Sequence, residues 1–288
     1  MRLKLSAVGL FLSSLLLFTP LYAELHPIPG PTTGKLGTIA EITVPDGYEF
    51  YAKADMKEFM EKSQNFYSED QMGVLRNPSE TSGYLVLFSF DEVGYIKDAA
   101  SEKLDADKMW KDMVDNNTEA NKERKEKGWT EMEMVGWLVK PNYNAETQRL
   151  EWAETLKDNG KEFVNFNTRI LGRKGVMRAT LVPHADLDSA LSGFNSVIKG
   201  YDFTSGSKYS EWTTGDKVAD FGLAALVVGG AGALAAKTGL LGKLWGVIAV
   251  LLAKAGKLLI LAFLGVGAFF KKLFSGKSGG DPPSSVVK

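Results

Sequence analysis

The sequence predicts an α+β fold in which an antiparallel strand meander packs against helices and is followed by C-terminal membrane helices. The meander is predicted by residues 131–182, where apolar and polar positions alternate between turns that contain glycine. Apolar residues at helical spacing on either side of it, at 105–127 and 187–199, predict the packing helices. The membrane helices are predicted by residues 220–274, an apolar stretch in which Asp220 is the sole acid.

The first 23 residues are predicted to be a secretory signal peptide. Arg2 and Lys4 form a charged start, residues 7–18 an apolar run, and residues 21–23 a cleavage site. An uncleaved anchor is the alternative, although the apolar run is short for a membrane span. We therefore expect a bacterial inner-membrane protein whose residues 24–217 form an exported α+β domain that faces the periplasm.

Local signals predict the elements around the meander. Residues 24–37 contain three prolines and three glycines, which predicts an extended lead-in. The signals that follow predict, in chain order, a strand at 40–44, a helix capped by Asp55, an apolar central strand at 84–90, and a long polar helix that begins at Asp105 or Asp107 and ends at Gly128. Residues 201–219 are aromatic and polar, which predicts a linker at the membrane surface.

Two turns predict the strand register of the meander. The first, at 158–160, is interpreted as a three-residue loop with glycine in its left-handed position, and the second lies at 172–175. In both hairpins the resulting register brings mostly apolar side chains together on one face. The predicted opposite pairs are Lys157 and Lys161, Trp152 and Phe166, Leu171 and Val176, and Ile170 and Met177.

The polar face of this predicted meander is the candidate binding site. It places three arginines in one row across three strands, where like charges destabilise a sheet unless acids lie nearby. Guanidinium groups suit carboxylate or phosphate ligands, so an anionic ligand or partner is one interpretation. Ion pairing to Glu119, Glu123 or Glu126 of the long helix is the other. The candidate residues are Arg149, Arg169, Arg178, Asn165, Asn167, Glu151, Arg173 and Lys174.

Charge and composition exclude several classes of function. The net charge is −1, but the two ends are basic and residues 24–217 are acidic, which argues against a nucleic-acid partner. The chain has no cysteine and two histidines, so no metal site or cofactor is predicted. His184 is interpreted as a surface residue, and Glu151 and Glu154 lie on opposite faces of their strand. We therefore predict no catalytic site.

Residues 218–274 are predicted to form a membrane anchor, in the simplest topology a helical hairpin, followed by a disordered tail at 275–288. Glycines in the first segment would let another helix approach closely, namely Gly222, Gly229, Gly230 and Gly232. Four lysines fall on one side of the second helix, namely Lys243, Lys254, Lys257 and Lys272. This lysine stripe has three interpretations: a helix lying flat at the interface, a break between two short segments, or a surface that faces a partner or water.

Several longer runs resemble a known family. They are PDGYEF at 45–50, EANKERKEKGW at 119–129, VGWLVKPNYNAETQRLEWA at 135–153, VNFNTRILGRKGVM at 164–177 and GDKVADFGLAALVVGGAGALAAKTGLL at 215–241. Together they resemble the bacterial family described as uncharacterised membrane-anchored proteins, domain of unknown function 2167. The resemblance implies an exported domain on a C-terminal anchor and implies no activity. At the level of fold alone, the meander and its closing helix are similar to PsbP-like and Mog1-like domains.

These observations predict a non-enzymatic envelope protein. Its exported domain is expected to bind another envelope protein or an anionic envelope component, while the C-terminal helices contact the lipid bilayer. The alternative is a membrane protein that self-associates through its glycine-rich helices and acts as a pore or transport accessory.

Overall fold

The computed structural model describes residues 25–184 and 187–229 and has an α+β fold, as the sequence predicts. Its strands are β1 Ile28–Pro29, β2 Thr32–Leu36, β3 Ala40–Val44, β4 Glu49–Ala52, β5 Gln71–Asn77, β6 Tyr84–Asp91, β7 Met132–Asn144, β8 Arg149–Asp158, β9 Lys161–Leu171, β10 Val176–Pro183 and β11 Tyr201–Phe203. Its α-helices are α1 Met56–Lys62, α2 Ala106–Glu126, α3 Leu187–Val197 and α4 Leu223–Val227.

Eight strands form one antiparallel sheet in the order β1-β4-β5-β6-β10-β9-β8-β7, and β11-β3-β2 form a second, smaller sheet. The apolar run at 84–90 is a central strand, as predicted, because β6 lies between β5 and β10. The long helix begins where Asp105 accepts a hydrogen bond from the Lys108 amide, which decides between the two predicted caps. Asp55 precedes α1 but does not cap it, since its carboxylate contacts His26 instead.

One face of the large sheet, the small-sheet face, packs against α3 and the small sheet. Large apolar side chains from both layers are fully buried there, including Phe50, Phe88 and Phe194. Phe166 of β9 meets the ring of Phe194 edge-on at 6.1 Å. The apolar core on this face is continuous across β4, β5, β6, β10 and β9.

The opposite face, the three-helix face, packs against α1, α2 and α4. Its apolar side chains form two separate clusters. One lies under α1 and contains Met56, Met60 and Val74. The other lies under α2 and α4 and contains Trp152 and Leu223. A band of polar residues separates the two clusters.

The predicted register of the β8–β9 hairpin is wrong by one residue. Its turn consists of two residues, Asn159 and Gly160, so Asp158 pairs with Lys161. Trp152 therefore lies opposite Asn167 and not opposite Phe166. Both turn residues have positive φ, 47° and 78°, which the Asn-Gly pair tolerates and which a two-residue hairpin turn requires.

The predicted register of the β9–β10 hairpin is confirmed. Leu171 pairs with Val176, and Ile170 pairs with Met177. Gly172 donates a backbone hydrogen bond of 2.8 Å to Gly175 and closes the turn.

The packed structure continues past the predicted domain boundary at 217. Val218 forms a parallel bridge with Tyr95, and the short helix α4 buries Leu223, Leu226 and Val227 against the three-helix face. Residues 201–219 are thus part of the fold and not the predicted linker, because β11 pairs with β3 and the rings of Tyr209 and Trp212 stack with that of Tyr95. No helix within 25–184 or 187–229 has the length and apolarity to cross a membrane. The signal peptide, the lysine stripe and the tail lie outside the described residues.

Candidate functional site

The three arginines predicted to form one row lie on two different faces of the large sheet. Arg169 and Arg178 are directly opposite each other on β9 and β10, on the three-helix face. Arg149 lies opposite Ile170, so the one-residue correction of the β8–β9 register moves it to the small-sheet face. Glu151 pairs with Thr168 and therefore lies on the same face as Arg149, whereas Glu154 lies on the three-helix face and interacts with Arg169.

Arg169 and Arg178 belong to a polar seam that crosses the three-helix face between the two apolar clusters. We define the seam as Asp91, Glu154, Asn167, Arg169, Arg178 and Thr180. Asp91 and Glu154 supply the acids that a pair of opposed arginines requires.

Arg178 is neutralised by two carboxylates that come from the sheet and its loops. Its guanidinium forms ion pairs with Asp70 and, at 3.3 Å, with Asp91. The alternative prediction, that ion pairs neutralise the arginines, is therefore correct for Arg178. The partners predicted on α2 are wrong, since Glu119 pairs with Lys122 instead. Burial raises the pKa of Asp91, and the charge of Arg169 opposes that shift.

Arg169 is buried without a carboxylate in ion-pairing distance. Its guanidinium stacks over the ring of Trp152 at 4.5 Å and contacts the carbonyl of Thr168 at 3.5 Å. Burial lowers the pKa of Arg169 to about 10, while the charges of Asp91 and Glu154 oppose the shift. The side chain stays protonated at neutral pH, so this part of the seam is a buried cation balanced by acids at longer range.

Glu154 is the most strongly perturbed acid of the seam. Both its oxygens accept hydrogen bonds of 2.9 Å from the Asn167 amide, and the Asn167 oxygen in turn accepts one of 3.0 Å from Thr180. Burial raises the pKa of Glu154 to about 7, although the bonds from Asn167 and the charge of Arg169 lower it. Ion pairs and hydrogen bonds thus join most members of the seam, while the Nε atoms of Arg169 and Arg178 have no hydrogen-bond acceptor.

Arg149 differs from every other arginine of the described residues. Arg76, Arg173 and Arg178 pair with carboxylates, and Arg124 and Arg169 donate to carbonyl or amide oxygens. No ion pair or side-chain hydrogen bond joins Arg149 to another described residue, and its buried Nε has no acceptor.

A second unpaired donor lies near Arg149. The Tyr201 hydroxyl is buried, has no hydrogen-bond partner, and interacts electrostatically with Arg149. Burial raises the pKa of Tyr201 well above its ordinary value, so the hydroxyl remains a neutral donor. Two buried donors without acceptors form an environment suited to an anionic or carbonyl oxygen.

The remaining candidates of the predicted face lie elsewhere. Arg173 forms a two-pronged ion pair with Asp216, with N–O distances of 2.7 and 2.9 Å, and so fastens the β9–β10 turn to the C-terminal segment. Lys174 is exposed, and its carbonyl accepts a bond of 3.0 Å from the Gly94 amide. Asn165 is half-buried opposite Glu154, and its side-chain oxygen has no partner.

Sequence reasoning missed the residues that hold α4. The Glu102 carboxylate accepts hydrogen bonds from the amides of Leu223 and, at 2.9 Å, Ala224, and so caps the helix. Asn116 of α2 donates a bond of 2.6 Å to the carbonyl of Val228 at the other end. Local signals do not reveal these contacts, since Glu102 lies 121 residues before Leu223.

The predicted helix-association glycines are only partly described. Gly222 precedes α4 and lets the Glu102 carboxylate approach the backbone, because a side chain at this position would overlap it. Gly229 lines a cleft of about 570 Å³ beside the Asp70, Asp91 and Arg178 cluster. Gly230 and Gly232 lie outside the described residues. Among the residues that are described, no cluster of three or more acids and histidines is arranged to hold a metal ion.

Comparison with known families assigns this chain. A family profile described as "Protein of unknown function (DUF2167)" matches residues 28–267. The chain belongs to this family. The match covers the whole described fold and most of the predicted anchor. Neither a curated protein nor a solved structure matches the chain significantly.

Proposed function

We propose that this family member is a membrane-anchored envelope protein whose α+β domain acts as a non-enzymatic binding or accessory module. In this proposal the C-terminal membrane helices hold the protein in the bacterial inner membrane, and the domain, with a PsbP-like or Mog1-like architecture, faces the periplasm. The alternative, a pore or transport accessory built from self-associating helices, depends on residues beyond Gly229.

The observation that carries the proposal is the fixed exit of the chain from the domain. Glu102 and Asn116 hold the two ends of α4, and Arg173 holds Asp216 just before it. The start of the predicted anchor is therefore packed on the domain as far as Val228. A chain that is fixed this far along the predicted anchor favours a module whose orientation on the membrane matters, as recognition of a neighbouring membrane component would require.

Arg149 is the residue that we assign to recognition. It is the described arginine that no other described residue satisfies, and the Tyr201 hydroxyl beside it is also without an acceptor. A carboxylate or phosphate group on an envelope component would satisfy both donors. The arginines of the polar seam are weaker candidates although their Nε atoms also have no acceptor, because Arg178 is paired with Asp70 and Asp91 and Arg169 stacks on Trp152.

The proposal is tested on the intact chain in its native membranes. We expect the chain to stay in the membrane after alkaline washing, and cross-linking followed by mass spectrometry to recover a partner. The variant Arg149→Gln should lose that partner, whereas Lys174→Gln, which removes a charge from an exposed residue, should keep it. Release of the chain by the wash would refute the anchor, and equal recovery with both variants would refute the assignment of Arg149.

A further inference from the structure

The strand β7 is an exposed edge with an apolar centre. It is the outermost strand of the large sheet, so one side of its backbone has no neighbouring strand among the described residues; only at Met132 do side chains of α2, Asn117 and Asn121, bond to the backbone. Three large apolar side chains in its middle are 44–50% exposed: Val135, Leu138 and Val139. These are three of the five exposed large apolar residues in the described part of the chain.

The centre of β7 lacks two of the features that protect an edge strand, namely charged side chains and proline. Such strands carry charges or proline in their middle, which prevents pairing with another chain. In β7, Glu133 precedes and Lys140 and Pro141 directly follow residues 134–139 (MVGWLV), which are uncharged. An apolar run of this kind on an open edge is an aggregation hazard unless a partner covers it.

The irregularities of β7 leave its apolar side chains exposed. Its pairing with β8 shifts register between Met134 and Gly136, between Trp137 and Val139, and again before Asn142. Bulges of this kind bend a strand and change the direction of its side chains. Val135 and Leu138 are the residues skipped in the first two shifts, and both are exposed.

We infer that the β7 edge binds the β7 edge of a second copy of this chain, in antiparallel orientation. The charges flanking the apolar run support this occupant. Glu131 and Glu133 precede the run and Lys140 follows it, so an antiparallel arrangement brings the acidic end of one strand to the Lys140 end of the other. The apolar centres then meet at the two-fold axis, as an isologous dimer requires.

The same charges disfavour a lipid surface as the occupant. Anionic head groups attract clusters of lysine and arginine, whereas Glu131 and Glu133 would be repelled. The intramolecular partners of the flanking charges do not compete strongly. Glu133 contacts Lys157 at 3.5 Å and Lys140 contacts Asp107 at 3.6 Å, and exposed pairs of this kind contribute little.

Single cysteines test this interface, since the chain has none of its own. Leu138→Cys in the full-length protein, kept in its membrane and treated with a short bifunctional thiol reagent, should give a covalent dimer of twice the chain mass. Glu80→Cys, at an exposed position between β5 and β6 and distant from β7 in the strand order, should stay monomeric. A monomer from both variants would overturn the inference, as would an adduct with a different protein. Association through the glycine-rich helices alone would likewise leave Leu138→Cys monomeric.

A charge exchange tests the antiparallel orientation. Glu133→Lys or Lys140→Glu alone places like charges together and should weaken dimerisation of the detergent-solubilised full chain by about 5-fold. The double variant restores opposite charges across the two-fold axis and should recover wild-type affinity within about 2-fold. Thermal melts of all three variants verify that the fold is intact. Additive weakening in the double variant would exclude antiparallel pairing of the two β7 strands.

Discussion

The two faces of the large sheet are buried by different means. On the small-sheet face, apolar side chains of five neighbouring strands form one core with α3 and the small sheet. On the three-helix face, two apolar clusters lie apart, and a seam of charged and amide side chains fills the space between them. The first face excludes water through close packing, and the second must also neutralise the charges that it buries.

This difference changes which arginine is a candidate for binding. Arg169 and Arg178 appear in the sequence as part of a cationic row, but the seam neutralises both within the fold. The one-residue correction of the β8–β9 register moves Arg149 to the other face, where it has no acid as a partner. A buried arginine therefore indicates a ligand only after its internal partners have been counted.

The largest expected effect comes from creating a cavity in the apolar core of the small-sheet face. Phe194→Ala should lower the free energy of unfolding by about 3–5 kcal/mol, because a fully buried ring leaves a cavity in a continuous core. Denaturant unfolding of the full chain in detergent measures the loss. As a control, Leu191→Ala on the same helix, at a partly buried position, should cost less. Equal losses would mean that α3 is not packed as described.

The contribution of the three-helix face to stability should depend on pH, unlike that of the small-sheet face. Glu154 has a pKa of about 7 in the fold and an ordinary value of 4.5 in the unfolded chain, so the folded state binds the proton more tightly. The protonated Glu154 carboxyl therefore makes its full contribution to the free energy of unfolding below pH 4.5. This contribution, about 3 kcal/mol, is lost as the pH rises through 7. Glu154→Gln should abolish this part of the pH dependence.

Unfolding curves measured between pH 4.5 and 8 provide the test. The wild-type chain and Glu154→Gln should converge at the acidic end and diverge towards neutral pH, with the variant the more stable. Phe194→Ala serves as the matched control, since it should be displaced by a constant amount at every pH. Parallel curves for wild type and Glu154→Gln would mean that Glu154 titrates normally and that the seam does not constrain it.

The two hairpins show how far the sequence predicts this sheet. The β9–β10 register was predictable because apolar residues flank its turn and apolar pairs follow on both strands. In the β8–β9 hairpin, the same criterion favoured the wrong register, since the true one sets Trp152 opposite Asn167 and Leu150 opposite Arg169. The dipeptide Asn159-Gly160, which favours a two-residue turn, was the signal that could have corrected it.

The polar seam itself could not be read from the sequence. Arg178 finds Asp70 across 108 residues of chain, and local patterns carry no information about such pairs. The assumption that polar residues mark an exposed face also failed here, because Arg169, Asn167 and Glu154 are each at least nine-tenths buried.

The smallest expected effect concerns the junction between the three-helix face and the predicted anchor. Glu102→Gln keeps the shape of the side chain but removes its charge and one acceptor for the amides of α4, which should cost about 1 kcal/mol. Because α4 is a short helix at the end of the described fold, this loss should appear as local opening and not as global unfolding. Hydrogen exchange of Leu223 and Ala224 should accelerate by about 5-fold, while exchange in β6 and β10 stays unchanged.

Glu119→Gln, at an exposed ion pair on α2, should leave α4 unaffected. If α4 exchanges at the same rate in both variants, the carboxylate does not hold it, and the observation that carries the proposed function is refuted.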